Sequence, residues 1–433
     1  MTQSVVRFQG PLASLTAEDR QALLGRRGVG DRGVRSAVAA VLDAVRLRRD
    51  GAVLEFTAQF DRVTPARLEV PKALWAEARD GLDPAVRSAL ERAARNIEQV
   101  HRAGRPLATI VEPEPGVRIE RRPYPLNRVG VYVPGGLAAY PSSVLMGVVP
   151  AKVAGVKEVV VCSPPGPNGV PAQAILAAAA MAGADRVFAI GGAQAIGAMA
   201  YGTETVPSVD RIVGPGNAYV MEAKLQVSDW VGIDGPAGPS EILIIADDST
   251  DPDLVAAEMI AQAEHDPDAS CSALGIRHSA LGGVAAALER RIRGAGREDV
   301  VRLALGARGA LVTVSDLEEA ARFANEFGAE HLLLAFEGAA AEVDRFRTAG
   351  AVFVGPSSSV VFGDYLTGAN HVLPTGGLAR GYSGLGALDF FRWTTYQTVS
   401  PAAAGRLAGD TAVLARAEGL PGHAAAAEQW EIQ

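Results

Sequence analysis

The tripeptide Ala-Glu-His occurs twice in a chain with only six histidines. In "AQAEHDP" (Ala261–Pro267) it ends the stretch "DPDLVAAEMIAQAEHD", which predicts a helix starting at Asp251 or Pro252. Gln262 and His265 are three apart, so both project from one helix face. An amide oxygen and a neutral imidazole there could take part in a metal site. His is the commonest ligand for zinc, which prefers four ligands, whereas Gln is an unusual one. The plainer alternative is a helix-terminal His favoured by the dipole. In "GAEHLLL" (Gly328–Leu334) the tripeptide stands at the entry to a buried strand. Glu330 beside His331 supplies two titratable groups for proton transfer. A polar strand start is the alternative there.

Other polar groups cluster as well. "FGDYLTGANHVLPTGG" packs Asp364, Asn370 and His371 between glycines and a proline, in a loop of the kind that often carries function. "AEGLPGHAAAAE" puts Glu418 and His423 near the C-terminus, across a Gly-Leu-Pro-Gly break. His101 ends the amphipathic helix "DPAVRSALERAARNIEQVHRAG", where a cation suits the dipole, and is expected at the surface. His278, without polar company, is expected to be structural or exposed. Three strand ends carry glycine: "VPGG" (Val133–Gly136), "IGGAQA" (Ile190–Ala195) and "VGPGN" (Val213–Asn217). At the carboxyl ends of parallel strands, Gly lets backbone approach a ligand and helix N-termini attract anions. Together the three suggest a nucleotide-like ligand, although none is the G-x-G-x-x-G fingerprint and each alone reads as a tight turn.

The elements that position these residues follow from periodicity. The first hundred residues read as helices. From Arg128, the short apolar runs "VGVYV", "KEVVVC", "DRVFAI", "VDRIV" and "VGID" read as buried parallel strands. Between them lie helical stretches over 142–155, 171–183, 193–200 and 218–227. A second set of strands, "EILIIAD", "SCSALGI", "ALVTV", "HLLLAF" and "AVFVG", alternates with helices over 252–264 and 317–327. Such alternation means parallel sheets with crossover helices. Beyond Gly386 the tail ends in helices near 411–419 and after His423.

The chain has 433 residues, enough for two or three domains at roughly 150 residues each. It is 48% hydrophobic and 21% charged, as globular proteins are. A net charge of −8 without a basic run argues against nucleic acid and anionic membranes as partners. Two cysteines, Cys162 and Cys271, make no disulfide framework and suit a reducing compartment. The first residues, "MTQSVVRFQGPLASL", lack a charged head followed by an apolar core, and the Ala-rich stretch around 174–184 is too short to span a bilayer. A soluble, cytoplasmic protein is expected.

Taken together, "GVYVPGG", "PSSVLMGVVPAKVAGV", "GGAQAIGAMAYGT", "VDRIVGPGNAYV", "GIDGPAGPSEILIIAD", "AQAEHD", "AEHLLL", "GDYLTGANHVLPTGG" and "EGLPGH" resemble the histidinol dehydrogenase family, in family order over 128–423. The resemblance implies oxidation of L-histidinol to L-histidine with two NAD+, through an enzyme-held aldehyde. It implies one Zn2+ per subunit on Gln262, His265, Asp364 and His423, mainly to position the amino alcohol. It implies that His331 takes the alcohol proton and that Glu330 activates water to attack the aldehyde. NAD contacts carry over to Tyr132, Gln194 and Asn217, on the three Gly-rich strand ends. Substrate contacts carry over to Ser240, Gln262, His265, His331, Asp364, Glu418 and His423, with Asn370 and His371 in support. The implied fold is α/β, with two Rossmann-like parallel-sheet domains and helical N- and C-terminal extensions. The expected division is an extension over 1–24, a larger domain from 25–131 plus 241–386, an inserted NAD-binding domain over 132–240, and a dimerisation tail over 387–433. That tail is expected to complete the site of a second copy in a homodimer. The sequence departs from the family at Val360, where many members carry Glu four residues before the metal-binding Asp, and the segment "LGALDFFRWTTYQTVS" matches loosely. Alternatives are a dehydrogenase of the same fold acting on another small polar alcohol, or a zinc hydrolase using Glu330 as base.

Overall fold

A computed structural model describes residues 5–26, 32–135, 139–235, 238–277 and 279–431. His278 and Gly136 lie outside the described residues. Two parallel sheets dominate the fold. The first has strands Arg128–Tyr132, Glu158–Ser163, Arg186–Ala189, Arg211–Val213 and Gly232–Ile233, with the order third, second, first, fourth, fifth. The second is built the same way from Glu241–Ala246, Ser270–Ile276, Ala310–Val314, His331–Leu334 and Ala351–Val354. The short strand Phe8–Pro11 is added at the edge beside Ala310–Val314. In each sheet the first strand is central, and the chain winds to one side before switching to the other. Ligands favour the crevice at such a switch point. The strands are continuous apolar runs because helices cover both sheet faces. These strands and their crossover helices match the spans expected from periodicity.

The helices of the first hundred residues have a definite place. Arg32–Arg48 and Asp50–Phe60 pack on helix Gly192–Tyr201, on one side of the five-stranded sheet. Lys72–Asp80 and Pro84–Ala103 pack on helices Gln173–Ala182 and Pro141–Ala154, on the other. Val6, Phe8, Leu12 and Leu23 instead join the cores of the six-stranded sheet. The packing thus groups the chain differently from the expected division: most of 32–126 belongs with the five-stranded sheet. His101 is buried, not at the surface. Leu90, Ala93, Ile97 and His101 form one helical stripe that faces the core, and position on the stripe outweighs the attraction of the helix terminus. Burial lowers the proton affinity of its ring.

An antiparallel sheet of Thr109–Glu114, Val117–Pro125 and Phe391–Val399 was not expected. Its strands are largely solvent-facing and carry no apolar run, so periodicity gives no signal. The loosely matched tail segment therefore enters a strand, and it leads into helix Pro401–Ala417 and then Pro421–Glu428. The first of these starts ten residues before the expected 411, and the second contains His423 rather than following it. They pack on each other through Ala412, Ala415 and Ala424.

Candidate active site

The carboxyl edge of the five-stranded sheet forms a crevice. Tyr132 ends its central strand and is buried, its hydroxyl accepting the Gly192 N–H at 3.1 Å. Gln194 is fully buried, and neither its amide nitrogen nor its oxygen has a partner. Buried amides are nearly always satisfied, so this one is set for a group the chain does not supply. Asn217 is exposed and caps helix Ala218–Gln226, accepting from the Tyr219 and Val220 N–H groups at 3.1 Å each. The turn before it is clamped. Lys224 and Asp234 form a buried ion pair; Lys224 Nζ donates to the Gly214 carbonyl at 3.0 Å, and the Gly214 N–H donates to Asp234 at 2.7 Å. Asp61, which the sequence did not single out, has a carboxylate oxygen buried without a partner. Burial pushes its pKa up to about 6. Its charge, after burial itself, helps push the Tyr132 hydroxyl up to about 12. Unpartnered buried polar groups beside Gly-lined strand ends fit a dinucleotide.

The second sheet uses its opposite end. Glu330 and His331 stand at the amino end of strand His331–Leu334, beside Glu241 at the amino end of its neighbour. The Glu241 N–H donates to Glu330 Oε2 at 2.7 Å, and His331 Nδ1 lies 3.0 Å from the Glu241 carbonyl. With its proton on Nδ1, the ring donates to that carbonyl and presents Nε2, 3.6 Å from Asp364 Oδ1. Burial raises the proton affinity of Glu330, against the pull of His331. For His331, burial works downward, but the Glu330 charge and the Asp364 hydrogen bond overcome it and push the pKa up to about 10. Two acids and an imidazole thus meet in one buried cluster.

Gln262 is buried on the last turn of helix Pro252–Ala263, and His265 follows, exposed. Asp364 sits near the end of helix Val360–Tyr365. Burial would raise its carboxyl, but the ring of His331 next to it, with His371 and His265 beyond, holds it below the ordinary range. Ser240, half-buried, directly precedes Glu241. Val360 is buried in the core of the six-stranded sheet. One element away, Glu258 lies one turn before Gln262 and accepts the Val360 N–H at 3.2 Å, joining the two helices that carry these groups. Asn370 donates to the Met146 carbonyl at 2.8 Å, and His371 bridges the Asp364 carbonyl (2.9 Å) and Ser143 Oγ (3.4 Å). Both therefore tie the segment that follows Asp364 to helix Pro141–Ala154, which follows the central strand of the five-stranded sheet.

One chain brings Asp364 to the Glu330–His331 pair and sets His265 close enough for its charge to act on Asp364, with Gln262 one turn back beside it. It does not bring the tail to them. Glu418 and His423 are exposed on helices that pack on each other. Had His423 stood within reach of His265 and Asp364, the three would form a metal-competent cluster. Among the described residues no such group of three or more His, Cys, Asp or Glu exists. An amide, an imidazole and an ionised carboxylate suit zinc as a partial set that needs a further ligand.

Known proteins resemble the chain over nearly all of its length. The family model described as histidinol dehydrogenase matches residues 25–429. A histidinol dehydrogenase of Dechloromonas aromatica (strain RCB) is 47% identical over 410 residues, covering 94% of each chain. One from Ralstonia nicotianae (strain ATCC BAA-1114 / GMI1000) is 46% identical, covering 99% of this chain and 98% of its own. The crystal structure of histidinol dehydrogenase from Elizabethkingia anophelis superposes with a TM-score of 0.94, at 32% identity over 99% of both chains. The chain belongs to the histidinol dehydrogenase family.

Proposed function

We propose that the chain, an oxidoreductase of this family, carries out the four-electron oxidation of L-histidinol to L-histidine through histidinaldehyde, as a cytoplasmic, zinc-dependent, NAD-linked homodimer. The observation that carries the reading is the His331 ring, fixed at Nδ1 by the Glu241 carbonyl with Nε2 turned toward Asp364. A base so oriented takes the alcohol proton at Nε2 while its tautomer stays locked. Glu330, desolvated and beside it, is matched to drawing a proton from the water that adds to the aldehyde. Tyr132, Gln194 and Asn217 would hold NAD+, which accepts the hydride in each oxidation. Gln262, His265, Asp364 and a His423 would hold zinc, which would fix the substrate nitrogens and neutralise Asp364, lowering the proton affinity of His331. Glu418 and His423 reach a site only in a second copy, a reading their exposure supports.

The test is stoichiometric. Purified protein with Zn2+, excess NAD+ and limiting histidinol should yield two NADH per histidinol, and histidinaldehyde should yield one. Absence of NADH with histidinol, but turnover of another amino alcohol in a panel, would redirect the substrate while keeping the chemistry.

A further inference from the structure

We propose that the buried Arg26–Glu241 ion pair is a positioning device for proton transfer, holding the one residue on whose backbone both Glu330 and His331 are hung. This rests on the reading of those two residues as the proton-transfer pair. The backbone of Glu241 binds both: its N–H, on one side of Cα, holds the Glu330 carboxylate, and its C=O, on the other, holds the imidazole. A shift of that residue moves the two groups together, and a misplacement near 1 Å costs on the order of 100-fold in rate. At this end of the sheet ladder the residue is held by its own side chain as well. Arg26 Nε and Nη2 donate to the two Glu241 oxygens at 2.9 and 3.2 Å, with both side chains almost fully buried. The Gly376 N–H adds a third bond to Glu241, at 2.8 Å.

The guanidinium also grips the other side of the site. Nη2 donates to the Phe327 carbonyl at 2.7 Å, and the Phe327 ring lies 3.3 Å from Cζ. Phe327 ends helix Leu317–Phe327, three residues before Glu330. Nη1 faces the carbonyls of Leu23 and Leu24 at 3.5 and 3.3 Å, at the end of helix Ala17–Leu24. One planar fork therefore joins the N-terminal segment, the helix end that leads into Glu330, and the strand that carries Glu241. A lysine has the charge but not this fork. Stability alone is a weak account of such a pair, since buried ion pairs are often replaceable by apolar residues of similar size without loss. The geometry points to alignment of the catalytic groups.

Three variants test this: Arg26→Lys, Glu241→Gln, and the paired Arg26→Met/Glu241→Leu, which removes both charges and keeps bulk. His331→Asn serves as the benchmark. Thermal unfolding, kcat and KM for NAD+ are read for each. Expected are folded proteins with kcat at least tenfold lower and KM for NAD+ within twofold of wild type, because the Glu330–His331 pair is displaced while the crevice of the other sheet is untouched. A purely structural role would lower the melting temperature and leave kcat unmoved in the folded fraction. Should Arg26→Lys not fold, Glu241→Gln and the paired variant decide. Folded variants with kcat within twofold of wild type overturn the inference, as does loss of fold in all three, which would make the pair a folding element. If His331→Asn is itself unimpaired, the proton-transfer reading falls rather than the positioning of the pair.

Discussion

Asp61 shows what a single residue can reveal without a motif. Its carboxyl titrates at about 6 instead of 3.8, because burial penalises the charged form and one oxygen has no partner. Between those values the folded protein holds a proton that the unfolded chain has released. Above pH 6 the fold therefore carries an uncompensated buried charge, and below about pH 4 it does not. Asp61→Asn should raise the melting temperature at pH 7 to 8, and the gain should fade as pH drops through 6 toward 4. Thermal unfolding at several pH values checks this, and a gain independent of pH would contradict the burial argument. Nothing in "QFDRV" announces such a group, since a carboxylate after a helix reads as solvated. Gln262, His265, Glu330 and His331 stood out as candidates because spacing and neighbours set them apart. Glu241, Glu258 and Arg26 did not, because their partners stand up to 301 residues away.

Among the elements, the turn between strand Arg211–Val213 and helix Ala218–Gln226 is the most constrained. Gly214 has φ +114°, and a Cβ there would fall 2.1 Å from the Tyr132 carbonyl oxygen. No side chain fits without parting the two strand ends that bear Tyr132 and Asn217. Gly214→Ala should cost at least about 1 kcal/mol of stability and raise KM for NAD+ tenfold or more, with kcat at saturating NAD+ much less affected. Steady-state kinetics beside thermal unfolding would show it; an unchanged KM would detach this turn from cofactor binding. The parallel strands and their helices were readable because burial on both faces writes continuous apolar runs. The antiparallel sheet and the strand Phe8–Pro11 were hidden because their residues largely face solvent or lie at an edge, where pairing is set by distant chain rather than by local pattern.

For the whole molecule, the proposed part of the tail in completing a site can be tested directly. Its helices bury only a small alanine cluster against each other, and leave Val413, Leu414, Leu420 and Trp430 exposed. Mixing two inactive variants, His265→Asn and His423→Asn, tests whether sites are shared. In a mixed dimer with shared sites, one site carries both lesions and the other neither. Random exchange makes half the dimers mixed, so roughly a quarter of wild-type activity should return. No recovery, with subunit exchange shown separately, would mean that each chain builds its own site.

The identical winding of the two sheets has a further consequence because their working edges are opposite ones. Asn370 and His371 join helix Pro141–Ala154 of one to the segment that follows Asp364 in the other, and each half of the reaction's cast stands on its own rigid floor. On the proposed chemistry the spent nucleotide must leave and a fresh one arrive while the reactive aldehyde waits. Groups that would retain the aldehyde belong to one floor, and groups that would release the nucleotide belong to the other. The traffic of one can turn over without unlocking the custody of the other.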